Sequence, residues 1–300
     1  MEMKVSVIIP TCNGANKIKT LLFSLLEQKE KGFEVIVIID GSTDNTMEVL
    51  KSFEPAFKDF KIISQTNKGR SHARNKGVPA TSGEVLIFYD DDMELDPDSV
   101  GRYIWFHKNY SGIVGGDPVE FKNSKKTEIQ NYKAHLTSIW TAKYPKGLTQ
   151  LNHLNLFFTA ANCSVRRNTF LMLNGFDERL TDVEDYDFAY RALEKGISVF
   201  FDKSNKAVHH DLITAKSYVQ RLRLYGEAHS RLVELHPERK EYIVAKSKMK
   251  RVFYRVVASS FLVRLIDYEF FKNILPEAIR FKIYDLVIQA LAVEFPRKPL

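Results

Sequence analysis

The chain has few cysteines and no long apolar run. Its two cysteines, Cys12 and Cys163, lie far apart and follow no metal-ligand spacing. Neither a disulfide framework nor a cysteine-based metal site is therefore predicted. No apolar run reaches the roughly 18 residues that a membrane-spanning helix needs, and the first residues lead into a predicted strand without a signal-peptide pattern. These absences predict a cytoplasmic protein, with the inner face of a membrane as a second place where it could work.

Two common nucleotide-binding signatures are also missing. A Rossmann dinucleotide site needs G-x-G-x-x-G after the first strand, but that turn reads Pro10-Thr11-Cys12-Asn13-Gly14. A Walker loop is absent, and we find no nucleic-acid-binding signature, so no nucleic-acid partner is predicted. Whatever the chain binds must be held by a different arrangement.

Negative charge is scarce in the last part of the chain. Residues 239–300 contain 13 Lys and Arg against 6 Asp and Glu, which equals the net charge of +7 of all 300 residues. Residues 1–238 are therefore balanced. A basic C-terminal part indicates an anionic partner surface, either a membrane or a polyanion.

Strand and helix patterns alternate four times in the first hundred residues. This alternation predicts an α/β fold with right-handed crossovers and a mostly parallel central sheet flanked by helices. Ligands of such sheets bind beyond the carboxyl ends of the strands. We therefore expect Thr11, Asp40 and Asp90–Asp92 to meet at one edge. The predicted strands are residues 4–9, 34–39, 60–64 and 85–89, and the predicted helices are residues 18–28, 44–53 and 71–80.

Three adjacent carboxylates, Asp90, Asp91 and Asp92, follow the apolar strand Val85–Tyr89. They repel one another, and a bound divalent cation would remove that conflict. Carboxylate oxygens suit Mg²⁺ or Mn²⁺, which keep open positions for the phosphate oxygens of a substrate. The alternative is an acidic loop in water ahead of the next helix, which Pro97 would start.

Seven short motifs follow one another along the chain. They are Val5–Gly14, Val37–Asp44, Asn67–Asn75, Phe88–Asp92, Gly175–Glu178, Glu184–Asp187 and Val208–His210. In these motifs and in their order, roughly residues 4–215 resemble family 2 glycosyltransferases with the GT-A fold. Each motif alone would be weak, and their order is the specific signal.

The resemblance implies a GT-A domain over residues 1–215, with a nucleotide-binding half (1–100) and an acceptor half (101–215). Residues 216–300 are predicted to form a basic helical C-terminal extension. Residues 120–155 have weak periodicity, and they either shape an acceptor pocket or form an ordinary surface excursion. The extension would lie against a membrane interface, cap the catalytic domain or form a dimer contact.

The resemblance also implies which residues bind a nucleotide sugar. Asp40 would accept a hydrogen bond from a uracil or guanine base, in a pocket lined by Pro10 and Thr11. The family often has a second acidic residue at the position of Ile39, so the base contacts can differ here. The remaining candidates come from the same loops and the basic segment that follows. They are Asn13, Gly41, Ser42, Asp90 and Asp91, with Arg70 and Arg74 as candidates for the diphosphate or, alternatively, for a solvated basic helix face.

The metal and the catalytic base are implied in the same way. Asp92 would hold Mn²⁺ or Mg²⁺ together with His209 or His210, although either histidine could be structural. Asp185 would be the general base, with Glu184 as a second catalytic candidate. Glu184 also fits a capping box with Thr181 ahead of a helix, which is a purely structural role.

The function implied is that of an inverting hexosyl- or N-acetylhexosaminyl-transferase. It would move a sugar from a uridine or guanosine diphosphate donor to a hydroxyl of a saccharide or lipid-linked acceptor, in polysaccharide or glycolipid assembly. Three alternatives stay open: a degenerate relative that only binds sugar, a glycoside hydrolase with two carboxylates, and a sugar nucleotidyltransferase. Their reaction products would distinguish them.

Overall fold

The computed structural model describes residues 3–120, 122–123, 125–242 and 254–300. These residues form two compact units. The first contains the described residues up to Val119 together with Trp140–His210, and the second contains Glu120–Ile139 and the described residues from Asp211 onwards. Part of the predicted C-terminal extension, residues 243–253, lies outside the described residues.

The first unit is built on a single sheet. Its path runs in the order β3-β2-β1-β4-β8-β6-β9-β5, and β7 pairs with β9 outside this path. The strands are β1 (Val5–Thr11), β2 (Phe33–Asp40), β3 (Phe60–Gln65), β4 (Val85–Tyr89), β5 (Met93–Leu95), β6 (Ile113–Val119), β7 (Leu148–Leu151), β8 (Asn162–Arg166) and β9 (Val199–His209).

The first four strands are parallel, as the alternating pattern predicts. β1 pairs in parallel with β2 and β4, and β2 pairs in parallel with β3. The later strands form mixed pairs, because β8 lies antiparallel between β4 and β6. β6 and β4 therefore point the same way, and β9 runs parallel to β6. The carboxyl ends of β1, β2, β4, β6 and β9 all reach the same edge.

Both faces of the central strands are buried. Along β1, Val7 and Ile9 pack into one apolar cluster whereas Ile8 packs into another. This alternation follows from the two-residue period of a strand. Helices cover both clusters, so the apolar runs that predicted buried strands are explained by burial on each side.

The helices described by the structure range in length from 6 to 21 residues. They are α1 (Ile18–Leu26), α2 (Thr46–Phe53), α3 (Arg70–Gly77), α4 (Ser99–Asn109), α5 (Glu128–Ala142), α6 (Arg167–Met172), α7 (Glu184–Glu194), α8 (Ala215–Leu235), α9 (Ser260–Asp267) and α10 (Glu277–Gln289).

The second unit has its own core. Side chains of α5, α8, α9 and α10 form one buried cluster, which includes Tyr132, Val219, Val263 and Tyr284. Among the residues that the structure describes, none of the helices combines the length and the hydropathy that crossing a bilayer would need.

The capping box at Thr181 and Glu184 does not form, so this alternative role for Glu184 was wrong. The reason is that α7 begins after Val183, which is left-handed (φ 61°) and offers no side-chain cap. In the C-terminal direction, β9 runs over eleven residues to His209 and α8 runs over 21 residues to Leu235.

Candidate active site

The loop after β1 is joined to the end of β4 by a direct hydrogen bond. Thr11 Oγ1 donates to Asp91 Oδ2 at 2.6 Å. Gly14 makes this contact possible, since a Cβ atom there would lie 2.0 Å from Thr11 Oγ1 and 2.6 Å from Asp91 Oδ2. A larger residue would force the hydroxyl and the carboxylate apart.

Asp40 holds the loop between β3 and α3. Its Oδ1 accepts from Gln65 Nε2 and from the Lys68 backbone N–H, both at 2.8 Å, and its Oδ2 accepts from the Gly69 N–H at 2.8 Å. Oδ2 thus keeps one acceptor position. Gly69 has a φ of 92°, which favours glycine. Asp40 therefore fixes the loop between β3 and α3.

Arg74 joins two segments that are far apart in the sequence. Its Nη2 donates to Asp90 Oδ1 and its Nη1 donates to Glu184 Oε1, each at 2.6 Å. The Arg74 side chain is only 2% exposed. One guanidinium thus ties the end of β4 to the start of α7 and is not available as a phosphate ligand in this arrangement.

Asp185 lies directly beside this ion-pair cluster, with its own backbone contacts. Its Oδ2 accepts from the Ala160 N–H at 3.2 Å and its Oδ1 accepts from the Tyr186 N–H at 2.8 Å. The start of α7 also contributes the positive end of the helix dipole. These contacts orient the carboxylate without neutralising it.

The charges in this cluster shift several pKa values. Burial would raise the pKa of Asp90, but Arg74 and Arg70 outweigh burial and hold this pKa at about 2. Burial raises the pKa of Glu184 to about 7 against the opposing charge of Arg74, and it raises the pKa of Asp185 as well. Arg74 is shared among three carboxylates, so Glu184 and Asp185 bind a proton more readily than isolated carboxylates and titrate together.

Asp92 lies in the turn just before β5, and the two histidines lie at the end of β9 and directly after it. His209 Nε2 lies 3.2 Å from Asp92 Oδ1, whereas His210 Nε2 lies 2.5 Å from Glu94 Oε2, at an exposed position. The sequence could not separate these histidines, and the structure places only His209 beside Asp92.

The donor atoms around Asp92 fit a divalent cation. Within the described residues, Asp92 Oδ1 is buried and accepts no hydrogen bond. In the same part of the chain, no group of three or more His, Cys, Asp or Glu side chains forms a metal site by itself. Mn²⁺ and Mg²⁺ commonly take one or two protein ligands and complete their shell with water and phosphate oxygens, so Asp92 with His209 suits a cation that arrives with a diphosphate.

Thr11, Asp40 and Asp90–Asp92 line a cavity of about 150 Å³ at the edge of the sheet. Of the other site residues, Arg74, Glu184, Asp185 and His209 are not among its lining residues. Asn13, Gly41 and Ser42 do not line it. They connect the first two loops, since the Asn13 N–H donates to Ser42 Oγ at 2.9 Å and Asn13 Oδ1 accepts from the Thr43 N–H at 2.8 Å. The lining residues are Pro10, Thr11, Cys12, Lys17, Asp40, Arg70, Ala73, Asp90, Asp91 and Asp92.

Sequence reasoning missed Lys17. Its Nζ lies 3.3 Å from Asp91 Oδ1. Burial lowers the pKa of Lys17, but the carboxylates of Asp91 and Asp92 raise it further, so the ammonium stays charged. In the sequence, the one signal for this contact with Asp91 is that Lys17 lies in the turn just before α1. Lys17 and Arg70 are thus the two cations that line the cavity within the described part of the chain.

Comparison with known proteins gives one family. A family model described as glycosyl transferase family 2 matches residues 6–172, which is more than half of the chain. An uncharacterized glycosyltransferase of Bacillus subtilis (strain 168), YfnE, is 37% identical over 113 residues. The aligned part is 37% of this chain and 29% of that protein, so the chain covers less than two thirds of this relative's own length.

Two solved structures share the fold. The mannosyltransferase PcManGT from Pyrobaculum calidifontis, in complex with GDP-Man and Mn²⁺, has a TM-score of 0.59 at 16% identity. The aligned part is 100% of this chain and 77% of the PcManGT chain. S. aureus TarS 1–349 in complex with UDP-GlcNAc has a TM-score of 0.53 at 16% identity. The aligned part is 98% of this chain and 91% of the TarS chain. At this identity the likeness concerns the fold alone, and it confirms the predicted architecture.

Proposed function

The chain belongs to glycosyl transferase family 2, and from this premise we propose that it is an inverting glycosyltransferase that uses a nucleotide-diphosphate sugar. The donor would bind in the cavity at the edge of the sheet. The acceptor hydroxyl would approach Asp185 at the start of α7. Both places belong to the first unit.

One observation carries this proposal. Arg74 binds Asp90 and Glu184 at the same time, so the end of β4 and the start of α7 lie a single side chain apart. A transferase needs its donor site and its base at this kind of separation, because the attacking oxygen must be within about 3.5 Å of the anomeric carbon. A site that only bound a nucleotide would not need the carboxylates of α7.

The chemistry assigned to the chain is a single displacement. Asp185 accepts the proton of the acceptor hydroxyl, and the hydroxyl oxygen forms a bond to the anomeric carbon on the face opposite the leaving group. The bond from this carbon to the diphosphate oxygen breaks, and the nucleoside diphosphate leaves with the bonding electrons. The raised pKa of Asp185 makes it a stronger base than an ordinary carboxylate.

The remaining groups would bind the donor. Lys17 and Arg70 would neutralise its diphosphate, and Asp40 would contact its uracil or guanine base. Asp92 and His209 would hold Mn²⁺ or Mg²⁺, and such an ion would supply Lewis-acid stabilisation of the leaving diphosphate. The two structures compared above contain GDP-Man and UDP-GlcNAc respectively, which supports testing both bases first. A saccharide or lipid-linked hydroxyl in polysaccharide or glycolipid assembly would be the acceptor.

The test begins with the donor. The full chain is melted with a panel of UDP- and GDP-sugars in Mn²⁺, because a ligand that binds only the folded state raises Tm. Turnover is then followed as release of nucleoside diphosphate for the wild type, for Asp185→Asn and for Asp98→Asn, an isosteric change at an exposed acid paired with Lys29.

We expect Asp185→Asn to lose about 10²- to 10⁴-fold in kcat with unchanged donor affinity, while Asp98→Asn keeps wild-type turnover. Turnover of Asp185→Asn within a few-fold of wild type would remove Asp185 as the base. Release of free sugar without any acceptor would indicate a hydrolase, and release of pyrophosphate would indicate a nucleotidyltransferase.

A further inference from the structure

Large apolar side chains are exposed on one stretch of the second unit. Phe261 is 64% exposed, Tyr268 82%, Phe270 53% and Ile274 59%. They belong to α9 and to the turn that joins it to α10. Single exposed apolar residues are normal on a protein surface, but four within one short stretch of chain indicate a binding surface.

The helix geometry places these residues away from the core. Phe261, Arg264 and Tyr268 are three and four residues apart, so they share one face of α9. Val263 and Ile266 lie on the other face and are buried. On α10, Lys282 is exposed, whereas Phe281 and Tyr284 are buried. The exposed side chains of α9, of the turn and of α10 are therefore both apolar and basic.

The acidic groups of this stretch are already engaged. Asp267 accepts from the Ala215 N–H, Asp285 Oδ1 accepts from Tyr132 Oη–H at 3.1 Å, and Glu277 binds Lys122 at 2.7 Å. Glu269 binds Lys272 at 2.7 Å. Within the described residues the structure gives neither Arg264 nor Lys282 a carboxylate partner, so the surface keeps a positive charge.

We propose that Phe261, Arg264, Tyr268, Phe270, Ile274 and Lys282 form a docking surface for an anionic lipid bilayer, which we term the α9–α10 surface. The apolar side chains would enter the interface, the Tyr268 hydroxyl would stay at the level of the headgroups, and the two cations would meet lipid phosphates. The basic excess of residues 239–300 acts in the same direction. This proposal concerns binding alone and does not rest on the transferase activity.

The charges favour a bilayer over a second copy of the chain. In a symmetric dimer the same patch meets itself, which would bring two positively charged patches together, and within the described residues the carboxylates of this stretch already have partners. Acidic lipid headgroups complement the same cations. A bilayer surface is therefore the occupant that matches both the apolar and the charged side chains.

The test is sedimentation of the full chain with vesicles of phosphatidylcholine alone and of phosphatidylcholine with phosphatidylglycerol. The variants are F270S/I274S, R264Q/K282Q and the control L171S/M172S. Leu171 and Met172 are 54% and 53% exposed in the first unit, so the control removes a similar amount of exposed apolar surface. Circular dichroism checks that each variant is folded.

We expect the wild type and the control to bind the anionic vesicles and to bind phosphatidylcholine at least about tenfold more weakly, because each surface cation contributes roughly fivefold. Both surface variants should lose about tenfold or more in partitioning. High salt should weaken the binding of the wild type but not abolish it, since salt screens only the charge contribution.

Three results would overturn the proposal. The first is the absence of binding to anionic vesicles, and the second is equal binding by the wild type and F270S/I274S. The third is a dimer of the wild type in light scattering that F270S/I274S converts to a monomer, which would assign the surface to a second copy of the chain.

Discussion

Replacing Arg74 by Met should destabilise the first unit more than almost any other single change. The variant keeps an unbranched side chain of similar length but leaves Asp90 and Glu184 without their shared cation at contacts of 2.6 Å. Removing one partner of a buried ion pair typically costs about 3–5 kcal/mol, because an uncompensated charge remains.

The pKa of Asp90 gives a second estimate of the stabilisation by the neighbouring cations, of which Arg74 is the largest contributor. This pKa lies at about 2 in the folded protein against an ordinary value of 3.8, and each pKa unit corresponds to about 1.4 kcal/mol, which gives roughly 2–3 kcal/mol. Because the folded pKa is depressed, this stability is present above pH 3.8 and is lost as the pH falls through 2. The variant should lack this part of the acid dependence.

The assay is urea unfolding followed by tryptophan fluorescence. Both tryptophans, Trp105 and Trp140, belong to the first unit, so the signal reports on the unit that contains Arg74. Arg179→Met is the matched control, since Arg179 is 59% exposed and binds Asp177 at the surface, where an ion pair contributes at most about 1 kcal/mol. A loss below about 1 kcal/mol in Arg74→Met at pH 7 would refute the reasoning.

Three further outcomes are expected. His209→Ala should weaken Mn²⁺-dependent donor binding about tenfold or more, by analogy with the effect of disturbing a metal shell, whereas His210→Ala should change it little in calorimetry; equal losses would contradict the placement of His209. Gly14→Ala should cost about 1–3 kcal/mol in urea unfolding, since its methyl group would overlap the threonine hydroxyl and the aspartate oxygen described above, and wild-type stability would show that the loop can move. The acid limb of kcat should lie above the ordinary carboxylate range, because Asp185 must lose its proton and burial raises its pKa. Glu184→Gln should shift this limb to lower pH, because Arg74 would lose a carboxylate that now shares its charge; an unshifted pH profile would show that Glu184 does not influence the ionisation of Asp185.

The sequence was sufficient for the parts of the fold that depend on local pattern. The continuous apolar run of β2 and the carboxylates after β4 each carry their own signal over a few residues. Parallel strands then require that these ends meet at one edge, and the structure places Thr11 against Asp91 as this argument expects.

Other parts depend on contacts between distant residues. α5 and β7 were not predicted, since residues 120–155 have weak periodicity and acquire their structure from the surroundings. The contact between Arg74 and Glu184 spans 110 positions, and nothing near Arg74 distinguishes it from a solvated basic residue. Lys17 was missed for the same reason, because only the folded chain brings it to Asp91. The capping box failed because a left-handed Val183 precedes α7, which pattern matching does not detect.

The insertion of β8 between β4 and β6 has a consequence for biosynthesis. β1 covers one side of β4, but the opposite side pairs with Asn162–Arg166. While the ribosome has made only the first 119 residues, the backbone of Val85–Tyr89 lacks its second partner, and open edges of this kind attract other strands. The nascent chain must therefore keep an apolar edge unjoined until a much later segment emerges, and a truncated gene product that stops before β8 would be prone to aggregate.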